Sequence, residues 1–390
     1  MVLAPCCEKR FPNVLLKPSL PDGPILIAVS GGSDSVALLH RLARSHAHNR
    51  LHVATVDHGL RAESAMEAQT VKSMADALQL PHQTLVWGPP AKPSSAESRQ
   101  ARYELLLQHA DRLEAKTLAL GHTLDDQAET IWMRAQRHKV ASDTRGLSGM
   151  AEWSSCNQIK LWRPLLADRR EELRNELRRS GIHWIDDPTN ENTDYERVRI
   201  RNHLTSNGAI DAELLARLAG LSMRLRGWIN HQVSDALDQF VTRQEEDQWH
   251  FAPSDDLPRS TLLETLSVLI LIVGGLGHRT PTSKFAELAD HIHAPARVRK
   301  AVGRCLVVAG RGSISVAREN RNIPELPDRV KSPQTYDGRY LLQPNATGQA
   351  YTAKPYIRSL AMFRAQADDP VHASVVRLLN SGAVQHKERF

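Results

Sequence analysis

Six consecutive residues, Ser30-Gly31-Gly32-Ser33-Asp34-Ser35, combine what is needed to grip an anion. Glycines let the backbone come close, a helix start contributes main-chain N–H groups and partial positive charge, and three hydroxyls can donate to phosphate oxygens. Asp34 would repel a phosphate unless a divalent cation lay between them, so the hexad reads as a loop for a Mg2+-bridged nucleotide. It is not a Walker A loop, because the Gly-Lys-Ser/Thr ending is absent. A bare Ser-Gly-Gly would be an ordinary capped helix start. The full hexad after a buried apolar run is more specific than that.

A second group follows Gly121-His122: Asp125, Asp126 and Glu129, with Thr123 placed to cap a helix. Acids at a helix start complement its dipole whether or not they do chemistry. Arginines form a third set: Arg99 and Arg102 beside Tyr103, then Arg197, Arg199 and Arg201. Guanidinium forks suit phosphates and carboxylates alike.

The elements that must position these groups alternate. Ile25–Val29, Leu51–Val56, Gln83–Trp87 and Lys116–Leu120 read as strands. Helical stretches lie between them, after the hexad, over Ser64–Leu78, and through Arg102 and Leu107. Such alternation implies a Rossmann-like α/β fold with a doubly wound parallel sheet, which binds ligands at the carboxyl ends of its strands. The segments at 30–35, 57–61 and 121–130 all begin at such ends. Further on, Asp168 with Glu171 reads as a capping box for a helix carrying Leu173 and Leu177 and stopped by Gly181. From Ala212 a long amphipathic helix is expected, with Leu214, Leu218, Leu221, Leu225, Ile229 and Val233 on its apolar face.

The chain has 390 residues, 41% of them hydrophobic, and a formal net charge of +6, a balance that suits a polyanionic partner. Four scattered cysteines (Cys6, Cys7, Cys156, Cys305) support neither a disulfide framework nor a zinc site and point to a cytoplasmic setting. No apolar run reaches the roughly 20 residues of a membrane span, so a soluble protein is expected. Three domains are expected: residues 1–208 catalytic, 209–325 mostly helical, and 326–390 a small β-leaning extension. Six basic residues and no acid between Arg297 and Arg318 (Arg297, Arg299, Lys300, Arg304, Arg311, Arg318) suggest a patch for nucleic-acid phosphates.

The hexad resembles the PP-loop of the N-type ATP pyrophosphatases, which split ATP between its α- and β-phosphates. Asp57-His58-Gly59-Leu60-Arg61, Gly121-His122-Thr123-Leu124-Asp125-Asp126-Gln127-Ala128-Glu129-Thr130, Gly146-Leu147-Ser148-Gly149-Met150, Arg163-Pro164-Leu165 and Asp187-Pro188-Thr189-Asn190 follow in order. Together they resemble the tRNA(Ile)-lysidine synthases. That resemblance implies adenylation by ATP of the C2 oxygen of the wobble cytidine in the CAU-anticodon isoleucine tRNA. Attack by the ε-amine of free L-lysine follows, shifting decoding from AUG to AUA.

The resemblance also implies roles. Ser30, Gly31, Gly32, Ser33, Asp34, Ser35, His58 and His122 would bind ATP. Asp34 and Asp125 would serve Mg2+. Asp126 and Glu129, three apart on one helical face, would meet the lysine ammonium, with Arg99, Arg102, Arg197 and Arg201 around the substrates. Asp126, Asp34 and Arg197 would be catalytic. Two departures stand out: Thr123 where the family usually has a second histidine, and Arg134-Ala135-Gln136-Arg137-His138-Lys139 where it has a glycine-rich stretch.

Three rivals differ in what they need. A tRNA thiolase requires reactive cysteines, which are scarce here. An amidotransferase-type synthetase needs an ammonia source. A nucleotide-regulated RNA-binding protein without catalysis has no use for Asp34 and Asp126. The sequence leaves the oligomeric state open, a homodimer included.

Overall fold

The computed structural model describes residues 20–59, 63–88, 93–137, 147–156, 159–186, 192–194, 196–206, 211–245, 248–327, 334–344, 351–355 and 369–381. Leu60, Arg61, Gly146, the Asp187-Pro188-Thr189-Asn190 segment and residues 138–145 of the divergent loop lie outside these.

The strands β1 (Ile25–Ala28), β2 (Leu51–Asp57), β3 (His82–Val86), β4 (Thr117–Leu120), β5 (Trp153–Cys156) and β6 (Ile159–Trp162) form one six-stranded sheet in the order β3-β2-β1-β4-β6-β5. All pairings are parallel except β5 with β6, a hairpin at one edge. The order reverses at β1: the chain moves one way to β2 and β3, then crosses to β4. This opens a crevice at the carboxyl ends of β1 and β4.

The apolar runs fold as strands because both sheet faces are covered. On one face Ile25, Ile27 and Val29 pack against Val36, Leu39 and Leu42 of α1 (Ser33–Ser45), Val71 of α2 (Ser64–Ala77), and Leu173 and Leu177 of α5 (Arg170–Arg179). On the other, Leu26 and Leu118 meet Leu106 and Ala110 of α3 (Ser95–Arg112). Burying one such side chain contributes roughly 1.5–3 kcal/mol, so the strand on which the loop hangs is firmly held. The helix α4 (Leu124–Arg137) follows β4 and continues through the start of the divergent stretch, where Arg134 donates to the Gly149 carbonyl at 3.1 Å.

The α5 helix begins one residue later than its sequence suggests. Arg169 is the N-cap, while Asp168 pairs with Arg41 at 3.0 Å and its carbonyl accepts from Leu124 N–H. That tie sets the start of α5 against the start of α4.

After α6 (Glu196–Ser206), the 29-residue helix α7 (Ala212–Phe240) packs its first half on α4 through Leu215 and Ala219, beside Ala128 and Ile131. The expected apolar stripe is not the packing face there: Leu214, Leu218, Leu221 and Leu225 are all 45% exposed or more.

The region expected to be mostly helical also holds a five-stranded antiparallel sheet, β7 (Val241–Glu245), β8 (Gln248–Phe251), β11 (Ser313–Arg318), β10 (Cys305–Gly310) and β9 (Val298–Val302) in spatial order. It packs with α8 (Arg259–Val273) and the C-terminal half of α7 around Phe251, Leu266, Phe285 and Val307. The short helix α9 (Ala286–Asp290), a three-stranded sheet of β12 (Gln334–Tyr336), β13 (Tyr340–Pro344) and β14 (Tyr351–Pro355), and α10 (Pro370–Ser381) complete the described chain. Val371 and Val375 of α10 join the same core as Val233 and Leu237 of α7. Among the described residues, no helix is long and apolar enough to cross a membrane.

Candidate active site

The hexad turns at the end of β1. Gly31 has φ +90°, and a Cβ there would stand 2.6 Å from Ile185 Cδ1; the Gly31 carbonyl accepts from Ile185 N–H at 2.9 Å. Gly32 caps α1, Ser35 Oγ donates to its carbonyl at 2.9 Å, and Ser30 N–H reaches Ser35 Oγ at 3.2 Å. Gly121 ends β4 directly against the loop, where a Cβ would lie 3.1 Å from the Asp34 carbonyl oxygen and from Ser35 Cα. Glycine is needed there for that approach, which brings His122 and the following acids to the mouth of the loop.

A cleft of about 1310 Å³ opens at this point. It is lined by Ser30, Gly32, Ser33, Asp34, Ser35, His58, His122, Asp126, Arg99, Arg102, Arg197 and Arg201, so the three groups separated in sequence face one space. Gly31, Asp125 and Glu129 stand behind its wall. Asp125 Oδ2 accepts from Arg170 N–H at 2.7 Å, holding the start of α5. Glu129, 1% exposed, accepts from Arg197 Nε at 2.6 Å and Arg201 Nε at 2.8 Å.

Asp126 is the most heavily bonded of these acids. Its Oδ2 accepts from Thr123 N–H at 2.8 Å and Thr123 Oγ1 at 2.9 Å, and its Oδ1 from Arg197 Nη2 at 2.9 Å and Arg170 Nη2 at 3.1 Å. Burial pushes its carboxyl up, but the Arg170 and Arg197 guanidiniums outweigh that and hold it at about 2. Asp34 differs. Burial lifts its carboxyl above the ordinary range, although Arg170 Nε donates to Oδ2 at 2.8 Å and Ser33 Oγ to Oδ1 at 3.2 Å. A divalent cation at Asp34 would add to the single guanidinium that faces this carboxylate. Among the described residues no cluster of three or more His, Cys, Asp or Glu could hold a metal ion.

His122 and His58 are neutral. Burial is the main cause for both, taking His122 down to about 3, and each Nδ1 is buried with no hydrogen-bond partner among the described residues. Arg99 and Arg102 lie 5.2 and 5.5 Å from the Tyr103 ring centroid, which fixes their stems along the cleft wall. Arg199 is turned elsewhere, donating to the Thr193 and Asp194 carbonyls.

Two arginines that sequence reading passed over are central. Arg170 meets Asp34, Asp126 and, at 3.5 Å, Glu129; Arg174 donates to Ser33 Oγ at 3.2 Å and pairs with Asp186 at 3.4 Å. Their spacing of four places both on one face of α5, a signal available in the sequence once the helix is aimed at the loop. Gln127 also has a role beyond its motif: its side-chain amide bonds both the N–H and the carbonyl of Met150, at 2.6 and 2.8 Å.

The basic stretch at 297–318 is partly spent on structure. Arg318 is buried against Asp337, Arg304 pairs with the same carboxylate, and Lys300 meets Glu287 at 2.6 Å. Arg297, Arg299 and Arg311 are exposed.

The model of the PP-loop domain family matches residues 5–207. Proteins named tRNA(Ile)-lysidine synthase are similar over most of the chain. That of Ruegeria pomeroyi is 38% identical over 330 residues, 81% of this chain and 76% of its own. That of Bradyrhizobium diazoefficiens is 39% identical over 310 residues, 75% and 82% of the two chains. That of Mesorhizobium japonicum is 33% identical over 365 residues, 90% and 79%. A solved structure, the U34-tRNA thiolase NcsA from Methanococcus maripaludis, aligns at a TM-score of 0.43 and 16% identity over 51% of this chain and 72% of its own.

Proposed function

The chain belongs to the tRNA(Ile)-lysidine synthases within the PP-loop family, and from that premise we propose how its own cleft carries their reaction. The enzyme is a ligase that joins lysine to C2 of the wobble cytidine in the CAU-anticodon isoleucine tRNA at the expense of ATP. The observation that carries the assignment of roles is the single cleft, lined by both the phosphate loop and Asp126.

The triphosphate lies on the N–H groups and hydroxyls of residues 30–35, at the start of α1. Asp34 would hold Mg2+, which neutralises polyphosphate charge when bound. The C2 oxygen of cytidine attacks the α-phosphorus and pyrophosphate leaves; a carbonyl oxygen that could not depart becomes part of an AMP ester. The lysine ε-amine, having lost its ammonium proton to water, then adds to C2, and AMP leaves with the former carbonyl oxygen. Asp126 faces the ammonium, with Glu129 behind it holding Arg197 and Arg201 toward the amino acid's carboxylate, and Arg99 and Arg102 lie toward RNA phosphate. The Arg170 and Arg197 guanidiniums hold the Asp126 carboxyl low, so once an acceptor site opens its role is to bind the ammonium by charge rather than to take its proton. Neutral His58 and His122 offer hydrogen bonds without adding charge beside the nucleotide.

On the same footing, residues 1–208 are the ATP-binding catalytic domain, 209–325 the tRNA-binding domain and 326–390 an extension. Arg297, Arg299 and Arg311 provide charge for the tRNA body. The thiolase alternative lacks a reactive sulfur among the described residues. Burial pushes the Cys305 thiol up to about 12, and Cys156 lies on edge strand β5 outside the cleft lining.

The test is incubation with ATP, Mg2+, labelled lysine and a transcript of the isoleucine tRNA with a CAU anticodon. Label in the tRNA that requires every component supports the reading. No lysine incorporation, or incorporation of labelled sulfur in its place, would overturn it.

A further inference from the structure

A carboxylate accepts about four hydrogen bonds, and those of Asp126 are all taken: two from Thr123 on Oδ2, one each from Arg197 and Arg170 on Oδ1. In this state the residue that faces the incoming ammonium has no acceptor site left. One of its four donors must leave before lysine can bind.

The four are not equally placed. Thr123 is fixed at the start of α4, where its carbonyl accepts from Gln127 N–H. Arg197 is tied at 2.6 Å to Glu129. Arg170 makes the longest of the four contacts, 3.1 Å, and is the donor whose guanidinium also reaches the phosphate loop, with Nε 2.8 Å from Asp34 Oδ2. Its Nη1 lies 3.5 Å from Glu129 Oε1, so one cation touches Asp126, the Glu129 buried behind it and the acid of the nucleotide site. The backbone of Arg170 is anchored by Asp125, which leaves the side chain as the part able to move.

We propose that Arg170 is a positioning residue that couples the two halves of the cleft, occupying the acceptor site of Asp126 until a nucleotide arrives and then releasing it to the lysine ammonium. The physical reason is competition. A triphosphate carries several negative charges and draws a guanidinium more strongly than a carboxylate already shared with Arg197. Mg2+ on Asp34 removes the partner of Nε at the same time. The triphosphate thus draws Arg170 away from Asp126, and the Nε freed from Asp34 turns to a phosphate oxygen. Lysine then binds tightly after Mg2+ and nucleotide, which keeps the amine site closed until the activating reagent is in place. By reciprocity, lysine must tighten the nucleotide by the same factor. This inference rests on the lysine and nucleotide sites proposed above.

The test is calorimetric binding of lysine to the full chain, with and without Mg2+ and α,β-methylene-ATP, a non-cleavable analogue. In the unsubstituted protein the analogue should tighten lysine by about tenfold or more. Arg170→Gln should bind lysine more tightly than the unsubstituted protein when nucleotide is absent, and the analogue should change its affinity little. A residue that only held the site together would give the opposite, weaker lysine binding in both conditions. Arg170→Lys keeps the charge but cannot bridge three carboxylates, and should show the same loss of coupling if Arg170→Gln folds poorly. Coupling in either folded variant equal to that of the unsubstituted protein, or none in the unsubstituted protein although both ligands bind, would overturn the proposal. Failure of lysine to bind under any condition would instead overturn the assignment of the amine site, and this inference with it.

Discussion

The backbone N–H and the hydroxyl of Thr123 converge on one oxygen of Asp126, at 2.8 and 2.9 Å. The returning contact, Asp126 N–H to Thr123 Oγ1 at 3.4 Å, makes the pair a capping box at the start of α4. Thr123→Val keeps the shape and loses the hydroxyl. It should cost about 1 kcal/mol of stability through the lost cap and raise the KM for lysine, while Thr123→Ser restores both. Thermal unfolding and lysine titration of the incorporation assay check the two effects; an unchanged KM in the valine variant would separate Thr123 from the site.

Acid should weaken the fold through His122. Burial lowers its imidazole most; Asp126 pulls it up, Arg163, Arg102 and Arg99 push it down, and the result is about 3 against 6.5 for the free group. Between those values the unfolded chain holds a proton that the folded chain lacks, so this contribution is complete above pH 6.5 and is lost as pH falls toward 3. Asp126, held at about 2 against 3.8, acts in the same direction at lower pH. His122→Asn should therefore lose less Tm than the unsubstituted protein between pH 7 and pH 5. Parallel curves in scanning calorimetry would show that His122 is not the titrating group.

The long helix α7 sets sequence pattern against packing. Leu215, 8% exposed, lies in the contact with α4, whereas Leu221 of the regular stripe is 56% exposed. Leu215→Ala should cost roughly 2–5 kcal/mol and Leu221→Ala about 0.5 kcal/mol or less, measured by urea unfolding. Equal costs would restore the stripe as the packing face.

That contrast shows where a sequence is legible. β1 and β4 could be read because a strand buried on both faces is a bare apolar run, and the loop hexad because its residue types have few other uses. The Leu214 stripe misled because periodicity reports a helix without saying which side meets the protein. Ala219, fully buried at the α4 contact, carries too little apolar surface to announce itself. Arg170 was hidden for another reason: it is 44 residues from Asp126 and 136 from Asp34, and only the fold brings them together. The sheet of β7 to β11 was half visible, since Cys305–Val308 and Ser313–Val316 read as short strand-like pieces within a region expected to be mostly helical, while Thr242 and Arg243 of β7 give no apolar run.

Asp337 holds three arginines, Arg304, Arg318 and Arg339, and its side chain is fully buried. Its φ of 49° favours Asp, Asn or Gly, so Asp337→Asn keeps the turn and removes only the charge. Arg318, 1% exposed at its side chain, would then be a buried cation without a counterion. The expected loss is about 3–5 kcal/mol by equilibrium denaturation, with nucleotide binding by residues 30–35 retained. A loss under about 1 kcal/mol would mean that water replaces the carboxylate.

Asp126→Asn tests the reaction's second half alone. An amide offers one acceptor oxygen where the carboxylate offers two, so its nitrogen must face either the Thr123 pair or the Arg170–Arg197 pair. Either way two donors point at a donor, and the negative charge that should meet the lysine ammonium is gone. The phosphate loop keeps its own contacts, Ser35 Oγ to the Gly32 carbonyl and Ser30 N–H to Ser35 Oγ, none of which involves Asp126. Lysine incorporation should fall by about a thousandfold or more, in the range of a lost charge in a closed site, while binding of Mg2+ and α,β-methylene-ATP stays within about threefold of the unsubstituted value. Incorporation near the normal rate would remove Asp126 from its role; loss of nucleotide binding as well would show that the two ends of the cleft cannot be separated by this residue.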